Sequence, residues 1–220
     1  MSSSAPYQPL LLRLLHGTAA ILLVLAWVSG FWVYETFDHR LIALGLPNLP
    51  DVQGIHGTIA LGLFLFFPLF ALYSFRLGDR RLIQPDAWQQ IQQWSKPIWW
   101  VTIHRLSNTL MLFAVTLALF TGRMMSEEWL PKGELNNPWY LAHLTAWMVV
   151  FISLATHLLM AAKVGGVPFL LSIFQRTINE GDRPMLTLKK IPLKPINRLL
   201  QTLEITLFGS LILGLILPVL

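Results

Sequence analysis

Residues 139–166 read WYLAHLTAWMVVFISLATHLLMAAKVGG. From Trp139 to Ala162 the run contains no Asp, Glu, Lys or Arg, and about 20 such residues suffice for an α-helix to cross about 30 Å of hydrocarbon. Two histidines interrupt its apolar character. His143 and His157 are fourteen residues apart, a spacing that at about 100° per residue returns to within about 40° of one face and at about 1.5 Å per residue separates them by about 21 Å. One membrane-length helix thus carries two imidazoles on one side, each towards a different surface.

Outward from this helix, residues 14–34, 52–75, 106–122 and 205–220 are likewise free of charged side chains. The whole chain is 55% hydrophobic and 12% charged, with a mean hydropathy of +0.58. That charged share is about half the globular average, which excludes an ordinary soluble domain. The expected fold is an all-α integral membrane helix bundle with spans near 12–34, 53–75, 98–121, 139–162 and 199–220. Residues 1–165 form a four-helix core, 166–198 an amphipathic helix and linker, and 199–220 a fifth, C-terminal transmembrane helix. The helix of the second unit is expected over 167–178, after Gly165-Gly166, and Pro68 is expected to kink the second span. The first span is read as a mature helix, because only Arg13 precedes it and no small-x-small cleavage site follows.

With no cysteine in the chain, disulfides, iron–sulfur clusters and thiolate chemistry are excluded. The net charge of +5 and pI near 9.8 do not indicate nucleic acid, because the basic residues sort by side of the membrane. One side receives Arg13, then Arg76, Arg80, Arg81, Lys96 and Arg105, then Lys163, Arg176, Arg183, Lys189, Lys190, Lys194 and Arg198. The other receives only Arg40, Arg123 and Lys132, beside Glu35, Asp38, Asp51, Glu127, Glu128 and Glu134. Excess Lys and Arg mark the cytoplasmic side, so the N-terminus is expected inside and the C-terminus outside.

This topology gives the histidines their levels. His56 starts the second span on the outer side, level with His143; His16 lies at the inner end of the first, level with His157. An intramembrane histidine is costly, so its default reading is functional, although any one of them alone could join two helices. Four matched in depth describe two separate pairs, and two neutral imidazoles facing one another are what a six-coordinate haem requires. A bare zinc or iron ion is disfavoured, because no intramembrane carboxylate completes its ligand set. Gly17 and Gly57 follow His16 and His56 in two His-Gly-Thr triplets and leave a macrocycle room. Gly30, fourteen residues after His16, returns to its face at the other level. His39 reads as solvated.

On the inner side, Arg13 and Arg105 can pair with haem propionates or serve as positive-inside anchors. His104 and Asn108, one turn apart, can bond quinone carbonyls; equally, His104 can bond a propionate or loop carbonyl, and Asn108 can join helices. No catalytic residue is assigned. The expected function is electron transfer through two haem b groups, exchanging with membrane quinone. Its rival is a haem-free membrane adaptor or transporter with structural or proton-carrying histidines, although the spans lack the acidic residues and paired broken helices of many carriers.

The arrangement of His16, His56, His143 and His157, with Lys163-Val164-Gly165-Gly166 after the fourth span, resembles the two-haem membrane cytochrome b subunits of formate dehydrogenases and nickel–iron hydrogenases. It also resembles the related bacterial cytochrome b561 proteins. The resemblance covers roughly residues 8–180 and implies the same pairings, His56 with His143 and His16 with His157. Besides lipid and quinone, it implies an outer-side redox protein or a dehydrogenase or hydrogenase subunit as partner. It also implies a respiratory role in a bacterial cytoplasmic or thylakoid membrane, and a quinone near the inner haem and a polar residue of the third helix. The fifth span departs from the four-helix pattern.

Overall fold

The computed structural model describes residues 8–175 and 197–219, and every regular element among them is helical. The long helices are α1 (Leu10–Phe37), α2 (Val52–Arg76), α4 (Pro97–Arg123), α5 (Pro138–Leu171) and α6 (Arg198–Ile216). Between α2 and α4 lie a 3-10 turn, Asp79–Arg81, and the short α3, Ala87–Ile91. All five long helices have the length and apolarity to cross a membrane.

Local chemistry sets the boundaries. Asn137 caps α5 by accepting from the Trp139 amide at 2.9 Å, and Asn197 caps α6 by accepting from Leu200 at 2.9 Å. Pro97 and Pro138 occupy first-turn positions where no amide hydrogen is missed. α2 continues through Pro68 to Arg76. α5 breaks at Gly166, whose φ of 69° and ψ of −175° suit glycine alone, and resumes for one turn before the 3-10 turn Ser172–Phe174. The helix expected over 167–178 is therefore shorter, and Gln175 is already extended; the rest of the expected linker, 176–196, lies outside the described residues.

The helices associate as two pairs, α1 with α2 and α4 with α5, with α6 laid against α4 and touching α2. Across the seam between the pairs the backbones approach only sparsely, leaving width that side chains alone bridge. Phe67, Phe75, Leu112, Val115, Leu207 and Leu211 are in the main buried cluster. α6 is tied in by an ion pair between Glu204 and Arg76, Nε to Oε1 2.8 Å. At the opposite end, Asp38 accepts from Arg40 Nε and from the Tyr140 hydroxyl, each at 2.5 Å. Burial alone would raise the Asp38 pKa, but these bonds hold it below the usual carboxylate value.

Candidate functional site

α5 presents His143 and His157 to the seam, and each meets a histidine from the other helix pair. The His56 and His143 rings are 6.2 Å apart between centroids; those of His16 and His157 are 6.1 Å apart. Two imidazoles bound through one nitrogen each to a common metal, at about 2 Å per bond, have centroids roughly 6 Å apart. Both pairs have the spacing of opposed axial ligands. They lie at different ends of the bundle, called here the acidic end, with His56 and His143, and the basic end, with His16 and His157.

Three of the four rings have their Nδ1 engaged by an oxygen acceptor. His143 Nδ1 donates to the Ala118 carbonyl at 2.9 Å, with Thr121 Oγ1 at 3.1 Å. The Ser29 hydroxyl donates to the Ala26 carbonyl at 3.2 Å, which leaves its oxygen to accept from His56 Nδ1 at 3.0 Å. His157 Nδ1 donates to Asn108 Oδ1 at 2.6 Å, while Asn108 Nδ2 donates to the Arg81 carbonyl at 2.9 Å. A proton fixed on Nδ1 keeps the Nε2 lone pair free for a metal, as ligating histidines require. His16 Nδ1 is buried and has no hydrogen-bond partner among the described residues.

Glycine shapes the acidic-end pair. A Cβ on Gly30 would come within 3.1 Å of His56 Cε1, and one on Gly122 within 3.1 Å of His143 Cε1, so each ring packs directly against a helix backbone. Gly17 and Gly57 adjoin open space. A cavity of about 380 Å³ surrounds His56 and His143; Gly30, Gly57 and Gly122 line it, Trp27 and Trp147 contribute to its wall, and Gln53 and Arg123 also border it. The two indoles stack at 4.8 Å and 4°. Paired donors, free Nε2 positions and glycine-lined space fit haem b.

The remaining candidates gather at the basic end. His104 lies 5.0 Å from His157 between centroids, and its buried Nε2 has no hydrogen-bond partner among the described residues. Arg13 is buried and donates to the Gln175 carbonyl, latching the start of α1 to the segment after α5. Arg105 is partly buried on α4, one residue after His104. His39 is in the left-handed region with φ 48°, its Nδ1 2.6 Å from the Glu35 carbonyl, apart from both pairs.

Sequence reasoning did not nominate Ser29, Arg81, Ala118, Thr121 or Gly122. Arg81 lies close enough to act electrostatically on both His16 and His104, and it donates to Gln8 Oε1 at 2.8 Å. Gly122 had a signal in the sequence: it follows Asn108 by fourteen residues, the interval that separates His16 from Gly30 and His143 from His157.

The family model of prokaryotic cytochrome b561 matches residues 7–173. The chain belongs to the prokaryotic cytochrome b561 family. Membership implies electron transfer by haem b in a membrane, and it agrees with the five apolar helices of an integral membrane protein. The match ends at residue 173, just past the kink in α5, so α6 lies outside this cytochrome b561 region. A search of the curated proteins found no match, and a search of the solved structures found none.

Proposed function

We propose that this cytochrome carries two haem b groups per chain, one held by His56 and His143 and the other by His16 and His157, and that it passes electrons between a redox partner at the acidic end and quinone at the basic end. The observation that carries the reading is the pair of histidine separations, 6.2 and 6.1 Å, at opposite levels of α5. Haem b supplies a one-electron couple, whose potential its axial ligands and their hydrogen bonds tune.

The chain's own residues supply position and electrostatics. Ser29, the Ala118 carbonyl and Asn108 hold three ligands in the Nδ1-protonated form. Arg13, Arg81 and Arg105 place cationic side chains at the basic end, where they can balance propionates. Asn108 already engages His157 and the Arg81 carbonyl, which leaves one amide hydrogen for a further acceptor. His104, with an orphaned Nε2 beside His157, is the better placed group to bond a quinone oxygen and to deliver or accept its proton. By the distribution of Lys and Arg, the basic end faces the cytoplasm.

The test is pyridine haemochrome quantified against protein mass in detergent-purified protein. Two b haems per chain are expected. A folded, haem-supplied preparation holding one or none would overturn the two-site reading.

A further inference from the structure

After α1 the chain reads Leu41-Ile-Ala-Leu-Gly-Leu-Pro-Asn-Leu-Pro50, ten residues without a charge between Arg40 and Asp51. The side chains project outward: Leu41 and Leu44 are each 64% exposed and Ile42 52%. Four of the eight backbone amides of this stretch, by contrast, are turned in against α1. The amides of Leu41 and Ile42 donate to the Tyr34 hydroxyl, and those of Leu44 and Gly45 donate to Glu35 Oε1, at 2.8 and 2.7 Å for the latter two. Pro47 and Pro50 have no amide hydrogen to satisfy.

The loop also doubles back. The Trp32 indole donates to the Pro47 carbonyl at 2.9 Å. Trp32 precedes the end of α1 at Phe37 by five residues, about 7.5 Å along the helix axis. Pro47 therefore lies beside the last turns of the span instead of beyond them, at the level of an interfacial tryptophan.

Water needs no such arrangement, since it would satisfy these amides and would disfavour the leucines. Hydrocarbon and the headgroup boundary reverse both preferences: backbone groups must be bonded within the protein, and apolar side chains face out. We propose that residues 41–50 form a membrane-embedded flap, seated in the lipid interface of the leaflet at the acidic end. Its apolar surface continues the lipid-facing surface of α1, where Val24, Leu25 and Val28 are exposed. Tyr34, which accepts two of the flap's amides, also lines the His56–His143 cavity, so the flap is tied to that site through one side chain.

The absence of cysteine permits single-site labelling without background. Full-length protein with Leu41→Cys, Ile42→Cys or Leu44→Cys is labelled with a nitroxide and reconstituted in phosphatidylcholine–phosphatidylglycerol vesicles. Collision with oxygen, which concentrates in lipid, is compared with collision with an aqueous nickel chelate. Leu65→Cys, at a 67%-exposed position of α2, and Glu134→Cys, in an exposed loop, supply the lipid and water references. The flap positions are expected to show an oxygen-to-chelate ratio several-fold above that of Glu134→Cys. Values equal to Glu134→Cys would put the loop in water, and labels shielded from both reagents would show that a protein surface covers it; either result overturns the proposal. Three labelled positions guard against one substitution disturbing the loop.

Discussion

Asn108 and His104 occupy neighbouring turns of α4 but do different work. Asn108 Oδ1 accepts the His157 proton at 2.6 Å, so replacing it leaves a buried N–H unbonded, at a cost of about 1–3 kcal/mol, and makes the imidazole a weaker electron donor. Asn108→Leu is therefore expected to raise the midpoint potential of the basic-end haem, with the acidic-end haem unmoved, and Asn108→Asp to lower it; potentiometric titration reads both. His104→Leu is expected to retain both haem spectra and to slow haem reduction by a quinol about tenfold, the worth of roughly one hydrogen bond, measured by stopped flow. An unchanged rate would move the quinone away from His104. That His16 meets His157 and His56 meets His143 was legible in the sequence because the fourteen-residue interval in α5 and the alternation of the spans fixed their levels. Their acceptors were less so: the Ala118 carbonyl has no side-chain signature, and the Arg81 carbonyl that orients Asn108 towards His157 meets it only because the loop after α2 folds back.

Among the elements, apolar length made all five long helices legible, whereas α3 and the turn at Asp79–Arg81 were not, being short, polar and dependent on their neighbours. Gly165-Gly166 marked the break, and the helix expected beyond it over 167–178 is present only as one α turn and a 3-10 turn, the chain being extended by Gln175. α6 shows how a span outside the family match is held. Glu204 is buried and paired with Arg76, and Leu200 and Leu207 are fully buried. Removing one member of a fully buried ion pair costs about 3–5 kcal/mol, because the other charge is left unpaired, whereas removing both is often nearly neutral; with the Arg76 side chain a quarter exposed, the cost here is smaller. Glu204→Leu is thus expected to lower the thermal midpoint in detergent, and the double variant Arg76→Leu/Glu204→Leu to regain most of the loss. Haem content should stay constant in both, since α6 supplies no ligand. A double variant as unstable as the single one would mean that Glu204 acts through packing alone.

At the scale of the whole molecule, the direction of the bundle in the membrane decides what electron flow accomplishes. The histidine levels are about 21 Å apart along α5, roughly two-thirds of a 30 Å core. An electron passing between them changes in energy by about 1.6 kcal/mol for each 100 mV of membrane potential. Orientation sets the sign of that energy, and thus whether the quinol oxidation proposed for the basic end would work against the potential or with it. Charge asymmetry bears on the direction: by the order of the spans in the sequence, thirteen of the 16 Lys and Arg residues sort with Arg13, Lys96 and Lys163, and only Arg40, Arg123 and Lys132 with the other side. So large a bias favours retention of the basic end in the cytoplasm. In intact cells, a membrane-impermeant maleimide is expected to label Glu134→Cys at once and to leave Lys96→Cys unlabelled until the membrane is opened. Both positions are exposed in loops at opposite ends, so access depends on sidedness and not on burial. The reverse pattern would place the proposed quinone chemistry on the outer surface and invert the sign of the coupling.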